Sequence, residues 1–261
     1  MMEGAVFLFI LGSVVGSFLN VCIYRMPREK SIVTPRSFCP HCRKKIFWYD
    51  NIPFASYVLL RGRCRFCHKK ISVRYLVVEA LTASLFVFLY QRLGMGPLFW
   101  IYITFFSALL VASFIDLEHQ LIPDAISLGG LGIGILLSLI FPTLHLASDR
   151  WASLLSSLAG ALVGGASIYL IGLLGNFLFK KESMGGGDVK LLAMVGSLLG
   201  WKKTLLAFFI APLFGSVVGV TLKVTKGAEV IPYGPFLSLA SFIAFLWEKE
   251  ILTYLGIGLY R

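Results

Sequence analysis

Residues 97–115 read Pro97-Leu98-Phe99-Trp100-Ile101-Tyr102-Ile103-Thr104-Phe105-Phe106-Ser107-Ala108-Leu109-Leu110-Val111-Ala112-Ser113-Phe114-Ile115, and the run stops on Asp116. Nineteen residues pass without one charge. At 1.5 Å per residue such a helix covers the hydrocarbon core of a bilayer, which takes about 20 apolar residues. Similar runs recur at 4–24, 76–93, 125–142, 151–179, 187–200, 203–222 and 233–256. The sixth in chain order, 187–200, is short and bears glycine. The fifth, 151–179, is long and must tilt or project. The composition agrees, with 57% hydrophobic and 14% charged residues, against roughly 45–50% and 25% in soluble domains. The expected fold is all-α, a polytopic membrane bundle of about eight spans. The expected organisation is a first span (1–24), a polar loop (25–75) and a membrane bundle (76–261).

Charge orients the spans. The chain carries 24 Lys and Arg and a net charge of +11, and 13 of those cations lie between Arg25 and Arg74. Positive charge beside spans marks the cytoplasmic side. With the N-terminus outside, the inner segments hold 18 of the 24 cations; the pair Lys202-Lys203 runs against the bias. A basic protein can bind nucleic acid, yet no nucleic-acid motif accompanies the charge, and no such partner is expected. No basic residue precedes the first apolar run and no small-x-small cleavage site follows it, so 4–24 reads as a retained helix.

Small residues recur at four-residue spacing: Gly12/Gly16, Gly130/Gly134, Gly160/Gly164 and Gly215/Gly219. Close backbone approach carries much of helix packing in lipid. Intramolecular packing is the expectation, with a hinge or dimer seam as the alternative.

The loop 25–75 holds Cys39-Pro40-His41-Cys42 and, 21 residues on, Cys64-Arg65-Phe66-Cys67. Two C-x2-C knuckles can give one zinc four thiolates, a closed and therefore structural site. Lys44, Lys45, Lys69 and Lys70 follow the knuckles almost symmetrically, as in paired zinc-ribbon turns. Two disulfides or a redox C-x-x-C are the alternatives, and a reducing compartment disfavours the first. His41 reads as exposed and Cys22 as a packing residue.

Ionisable residues at the spans are functional candidates. Asp116 ends the third run, and Asp188 begins the sixth in Gly185-Gly186-Gly187-Asp188-Val189-Lys190. Two crossings separate them, so they face one compartment, the one that holds the cysteine loop. Two carboxylates brought close share a proton. The ionised one can take a proton from water while the neutral one polarises a scissile carbonyl. The glycines let backbone approach a substrate strand. Equally, Asp116 could be a solvated helix-end acid and Asp188 an N-cap. Asp124 suits N-capping after Pro123. Glu118 and His119 read as solvated loop residues. Lys190 stands two residues from Asp188, a spacing at which helical side chains do not face each other. Glu182 can pair with a neighbouring lysine or lie near the site. Neither H-E-x-x-H nor G-x-S-x-G occurs.

These residues resemble the type IV prepilin peptidases, within the GxGD aspartyl proteases. Gly185-Gly186-Gly187-Asp188 matches GxGD, and Asp116 through Ile122-Pro123-Asp124 matches the first aspartate motif. Gly16-Ser17-Phe18-Leu19-Asn20-Val21 and Tyr24-Arg25-Met26-Pro27 resemble the amino-terminal signature. Asn51-Ile52-Pro53, Arg61-Gly62-Arg63-Cys64 and Ser72-Val73-Arg74-Tyr75 resemble the rest of the cytoplasmic domain. The resemblance implies catalysis by Asp116 and Asp188; Gly185, Gly187, Glu182, Lys190 and Asp124 are the candidates for substrate contact or support around them. It implies type IV prepilins and type II secretion pseudopilins as substrates, cut after Gly, ahead of a hydrophobic helix, at the cytoplasmic face of a bacterial inner membrane. It also implies N-methylation of the new terminus from S-adenosylmethionine, an activity associated with the four-cysteine domain. No methyl-donor motif is legible. The basic loop suits scaffolding or contact with lipid headgroups. A peptidase without methylation and a non-enzymatic carrier are the rival classes; a carrier would place its acids near the midplane.

Overall fold

The computed structural model describes residues 2–180, 184–226, 231–254 and 256. Among them lie nine α-helices: α1 (Met2–Arg25), α2 (Ala55–Leu59), α3 (Arg74–Leu93), α4 (Pro97–His119), α5 (Asp124–Ile140), α6 (Arg150–Phe179), α7 (Gly186–Leu199), α8 (Trp201–Lys226) and α9 (Gly234–Tyr254). No strand occurs among the described residues, only two isolated bridges in the cysteine loop. In lipid every backbone polar group must be satisfied internally, and helices do that within one segment. Each apolar run of the sequence is a helix. Five of them, α1, α3, α4, α6 and α8, are long and apolar enough to cross a membrane. The protein is a multi-pass membrane protein. The helix α5 has 17 residues and α7 only 14, while α9 carries Glu248-Lys249-Glu250 in its last two turns.

Contacts divide the chain inside α4, into Met1–Val111 and Ala112–Arg261. In the first unit α1 packs antiparallel on α3. A Cβ at Gly12 would stand 2.8 Å from Ala83 Cα, and one at Gly16 2.7 Å from Glu79 Cα. Only glycine allows that approach. Phe86 of α3 meets Phe99 of α4 edge to face, with centroids 6.1 Å apart.

In the second unit α7 is the core. Leu191, Leu192 and Met194 through Leu199 are buried, with α5 and α6 against them. A Cβ at Gly160 or Gly196 would run into the other's carbonyl, and one at Gly164 into the Leu192 carbonyl. From the other side Gly130 and Gly134 face Met194 and Ser197. The four-residue glycine pairs therefore serve packing within the chain, as expected. At the far end of α7, Ser157 Oγ donates to Ser197 O at 2.8 Å, and His145 Nε2 stands 3.2 Å from the same oxygen. Burial holds His145 below its ordinary value near 6.5, and Lys203 adds to that against the opposing Ser197 carbonyl.

Candidate active site and metal centre

Asp116 opens the last turn of α4, because the helix runs on to His119. Gln120 then takes a left-handed φ of 52° and its N–H returns to Asp116 O at 2.8 Å. Glu118 and His119 are helical, not loop residues, though exposed as expected. The Asp116 side chain is turned inward and buried. Its Oδ2 accepts the N–H of Gly234 at 2.9 Å, at the start of α9.

Asp188 stands in the first turn of α7, where a helix N-terminus favours a carboxylate. The N-cap is Gly185, not Asp188, and the Asp188 N–H donates to Gly185 O at 3.1 Å. Its carboxyl in turn reaches back to the N-cap and makes a backbone hydrogen bond with Gly185. Asp116 and Asp188 lie close enough to sense each other's charge. The chain leaves Asp116, runs through α5 and α6 and returns to Asp188.

The surrounding glycines are places where a side chain would intrude. A Cβ at Gly234 would meet Asp116 Oδ2 at 2.9 Å, one at Gly185 Asp188 Oδ2 at 3.3 Å, and one at Gly187 Ile122 Cβ at 3.1 Å. Asp124 corrects one expectation. The N-cap of α5 is Pro123, with extended backbone (ψ 133°), and Asp124 is the first helical residue. Its carboxylate pairs instead with Lys190 Nζ at 2.7 Å. Lys190 accordingly turns away from Asp188, as its spacing requires. Glu182 lies outside the described residues. The sequence reading missed Tyr233 and Gly234. The Tyr233 hydroxyl is buried without a hydrogen-bond partner and within reach of the Asp188 charge. The only signal was the turn-forming string Pro232-Tyr233-Gly234-Pro235, which names no partner.

In the first unit the four cysteines converge. Their sulfurs lie within 4.8 Å of one another, with Cys39 Sγ to Cys67 Sγ at 3.8 Å and Cys42 Sγ to Cys64 Sγ at 4.0 Å. No disulfide joins them. The knuckles are near copies. Cys39 N–H donates to Lys44 O and Arg43 N–H to Cys39 O; Cys64 N–H donates to Lys69 O and His68 N–H to Cys64 O. Arg43 and His68 close the turns at φ 56° and 55°. Burial pushes the Cys39 thiol up to about 11. Burial acts the same way on Cys64, but the amides of Cys67 and Phe66 and the neighbouring thiols outweigh it and bring it down to about 7. The opposed directions describe one cluster that gives up a first proton easily and later ones hard. A divalent cation among the sulfurs would remove that penalty. The cluster could hold a metal ion. His41 is exposed and Cys22 is buried in α1. Asp50 clamps Arg65 through two bonds of 2.6 and 2.7 Å and ties the second knuckle to the loop.

Comparison with known proteins agrees with this anatomy. Residues 10–93 match the bacterial peptidase A24 N-terminal domain, and residues 103–220 match the type IV leader peptidase family. Several relatives are named prepilin leader peptidase/N-methyltransferase. One from Myxococcus xanthus is 41% identical over 85% of this chain and 64% of its own length. One from Pseudomonas putida is 35% identical over 93% of this chain and 90% of its own. One from Aeromonas hydrophila is 36% identical, at 95% and 92%. No solved structure matches the chain. The chain belongs to the type IV leader peptidase family.

Proposed function

We propose that the protein cleaves the leader peptides of type IV prepilins and pseudopilins, after Gly, with Asp116 and Asp188 as the catalytic pair, and N-methylates the new terminus. The observation that carries this reading is the meeting of the two aspartates, 72 positions apart, within reach of each other's charge. One ionised carboxylate takes a proton from water as the oxygen attacks the scissile carbonyl. The neutral one donates to the carbonyl oxygen, and no covalent intermediate forms. The Gly234 N–H holds Asp116 in position. Gly185 and Gly187 keep side chains out of the path of an extended leader. The setting is a bacterial inner membrane, with the dyad and the cysteine loop on the cytoplasmic side, where the cations gather. The basic loop there meets lipid headgroups, and nucleic acid is not a partner.

The metal is zinc. At a zinc–sulfur distance near 2.3 Å a tetrahedral site spaces its sulfurs about 3.8 Å apart, against 3.8 and 4.0 Å for the two pairs. Cys39, Cys42, Cys64 and Cys67 would hold it, closed to substrate, as a scaffold. S-adenosylmethionine supplies the methyl group.

Asp116→Asn and Asp188→Asn test the peptidase. Each is expected to insert and accumulate normally while cleaving a purified prepilin at under about 1% of the wild-type rate, the loss expected when an essential acid or base is removed. Full activity in either variant would remove that residue from the mechanism.

A further inference from the structure

Within the first unit, the seam between α1 and α3 holds a polar set that neither the dyad nor the metal cluster uses. Asn20 is 1% exposed. Its Nδ2 faces two carbonyls, Gly16 O at 3.3 Å and Tyr75 O at 3.0 Å. Both partners are acceptors, so the nitrogen must face them, and Oδ1 is the atom left over. That oxygen is buried with no hydrogen-bond partner. One turn along the seam stands Glu79, 8% exposed. Its carboxylate accepts the Phe54 N–H at 3.1 Å and the Ser17 hydroxyl. Among the described residues no cation forms an ion pair with it.

Both groups lie about one and a half turns inside their helices, roughly 7 Å below the ends. A carboxylate at that depth is expensive, and such groups mark functional sites. An unfilled buried acceptor adds to that cost. Phe54 reaches Glu79 from a strained backbone, φ 57° and ψ −54°, and strain of this kind collects at ligand sites. The seam therefore offers acceptors and a negative charge, and what it lacks is a cationic donor. A primary ammonium group supplies both the charge and the N–H bonds.

We propose that Asn20 and Glu79 bind a primary ammonium group, and that this group is the N-terminus freed by leader cleavage, the methyl acceptor. The inference rests on the bifunctional reading above. Depth favours the acceptor. A mature pilin terminus opens directly into a hydrophobic helix, so its ammonium is drawn to the apolar edge of the bilayer, where Glu79 sits. Asn20 Oδ1 takes one N–H. The Glu79 carboxylate takes a proton from the ammonium and exposes the nitrogen lone pair. That lone pair forms the N–C bond to the methyl carbon of an S-methyl sulfonium donor as the C–S bond breaks, and the bonding electrons go to sulfur. The sulfonium becomes a neutral thioether, the amine becomes a methylated ammonium, and Glu79 returns its proton to water.

Glu79→Gln keeps an acceptor for the Phe54 N–H and removes only the charge. Cleavage, carried by Asp116 and Asp188, reports whether the variant is folded. The direct readout is binding of a synthetic peptide with the mature N-terminal sequence, free or N-acetylated, to the purified protein in lipid nanodiscs. Wild type is expected to prefer the free amine about tenfold, the worth of a charge-assisted hydrogen bond. Glu79→Gln is expected to lose that preference and to methylate about a hundredfold more slowly, as for a lost general base. Methylation at the wild-type rate with the preference intact would overturn the proposal. So would unchanged peptide binding with weakened binding of S-adenosylmethionine, which would assign the ammonium to the donor. Failure of the bifunctional reading looks different, since wild type itself would then add no methyl group.

Discussion

Gly234→Ala separates positioning from fold in a single atom. The added Cβ would stand 2.9 Å from Asp116 Oδ2 and 3.4 Å from its Cβ and Cγ. A relaxed carbon–oxygen contact is about 3.4 Å, so the carboxylate must retreat by about 0.5 Å. That stretches the 2.9 Å bond from the Gly234 N–H to about 3.4 Å, outside hydrogen-bond range. A bond to an ionised group is worth about 1.5–3 kcal/mol. Misplacing a reacting group by the order of 1 Å costs about a hundredfold in rate. Together these give a fall in kcat/KM of about 10- to 100-fold, read as initial rates of leader removal from a purified prepilin. Overpacking elsewhere costs about 1–3 kcal/mol, so Tm in the same detergent must be measured alongside. Gly132→Ala is the control, since nothing lies within 4 Å of its Cβ. Gly234→Ala cleaving at the wild-type rate would refute the placing of Asp116 by α9.

The purified protein is expected to carry about one zinc per chain, and Cys39→Ser or Cys67→Ser to lose it. Those variants should harm methylation at least as much as cleavage; full metal content or normal methylation in both would contradict the scaffold. The Asp124–Lys190 pair is half-exposed, so Lys190→Met should change unfolding free energy by less than about 1 kcal/mol; a larger loss would give the pair a role that its exposure does not support. His145 is held neutral in the fold, below its unfolded value near 6.5. Below that value the unfolded chain binds the extra proton, so stability falls as pH drops from about 6.5. Tm measured across pH 7 to 5 should fall in wild type and fall less in His145→Gln; equal slopes would refute the assignment.

How far the sequence carried the reading follows from its physics. Runs without charge are legible because lipid forbids anything but helix, and 187–200 became Gly186–Leu199 almost to the residue. The cysteine knuckles are legible because all four cysteines sit in one short loop. The aspartates could be put on one side by counting crossings, without knowing any packing. What was hidden is which face of each helix meets which neighbour. In lipid a helix is apolar all round, and its periodicity carries no address. Thus the Gly234 N–H on Asp116 spans 118 positions and the Lys190 bond to Asp124 spans 66, and neither has a local signature. Asp124 misled for a local reason. Pro123 already has the extended backbone of an N-cap, which moves Asp124 one step into the helix and frees its carboxylate for Lys190. Asn20 looked like part of a signature, and only the register of α1 on α3 shows that its amide oxygen is left without a donor.

The most direct test of the account is the mass of a purified prepilin after incubation with this protein in lipid, with and without S-adenosylmethionine. Loss of the leader in both samples, with about 14 Da, one methylene, added to the mature N-terminus only when the donor is present, is the expected result. An intact prepilin after incubation with folded enzyme would contradict the account at its centre.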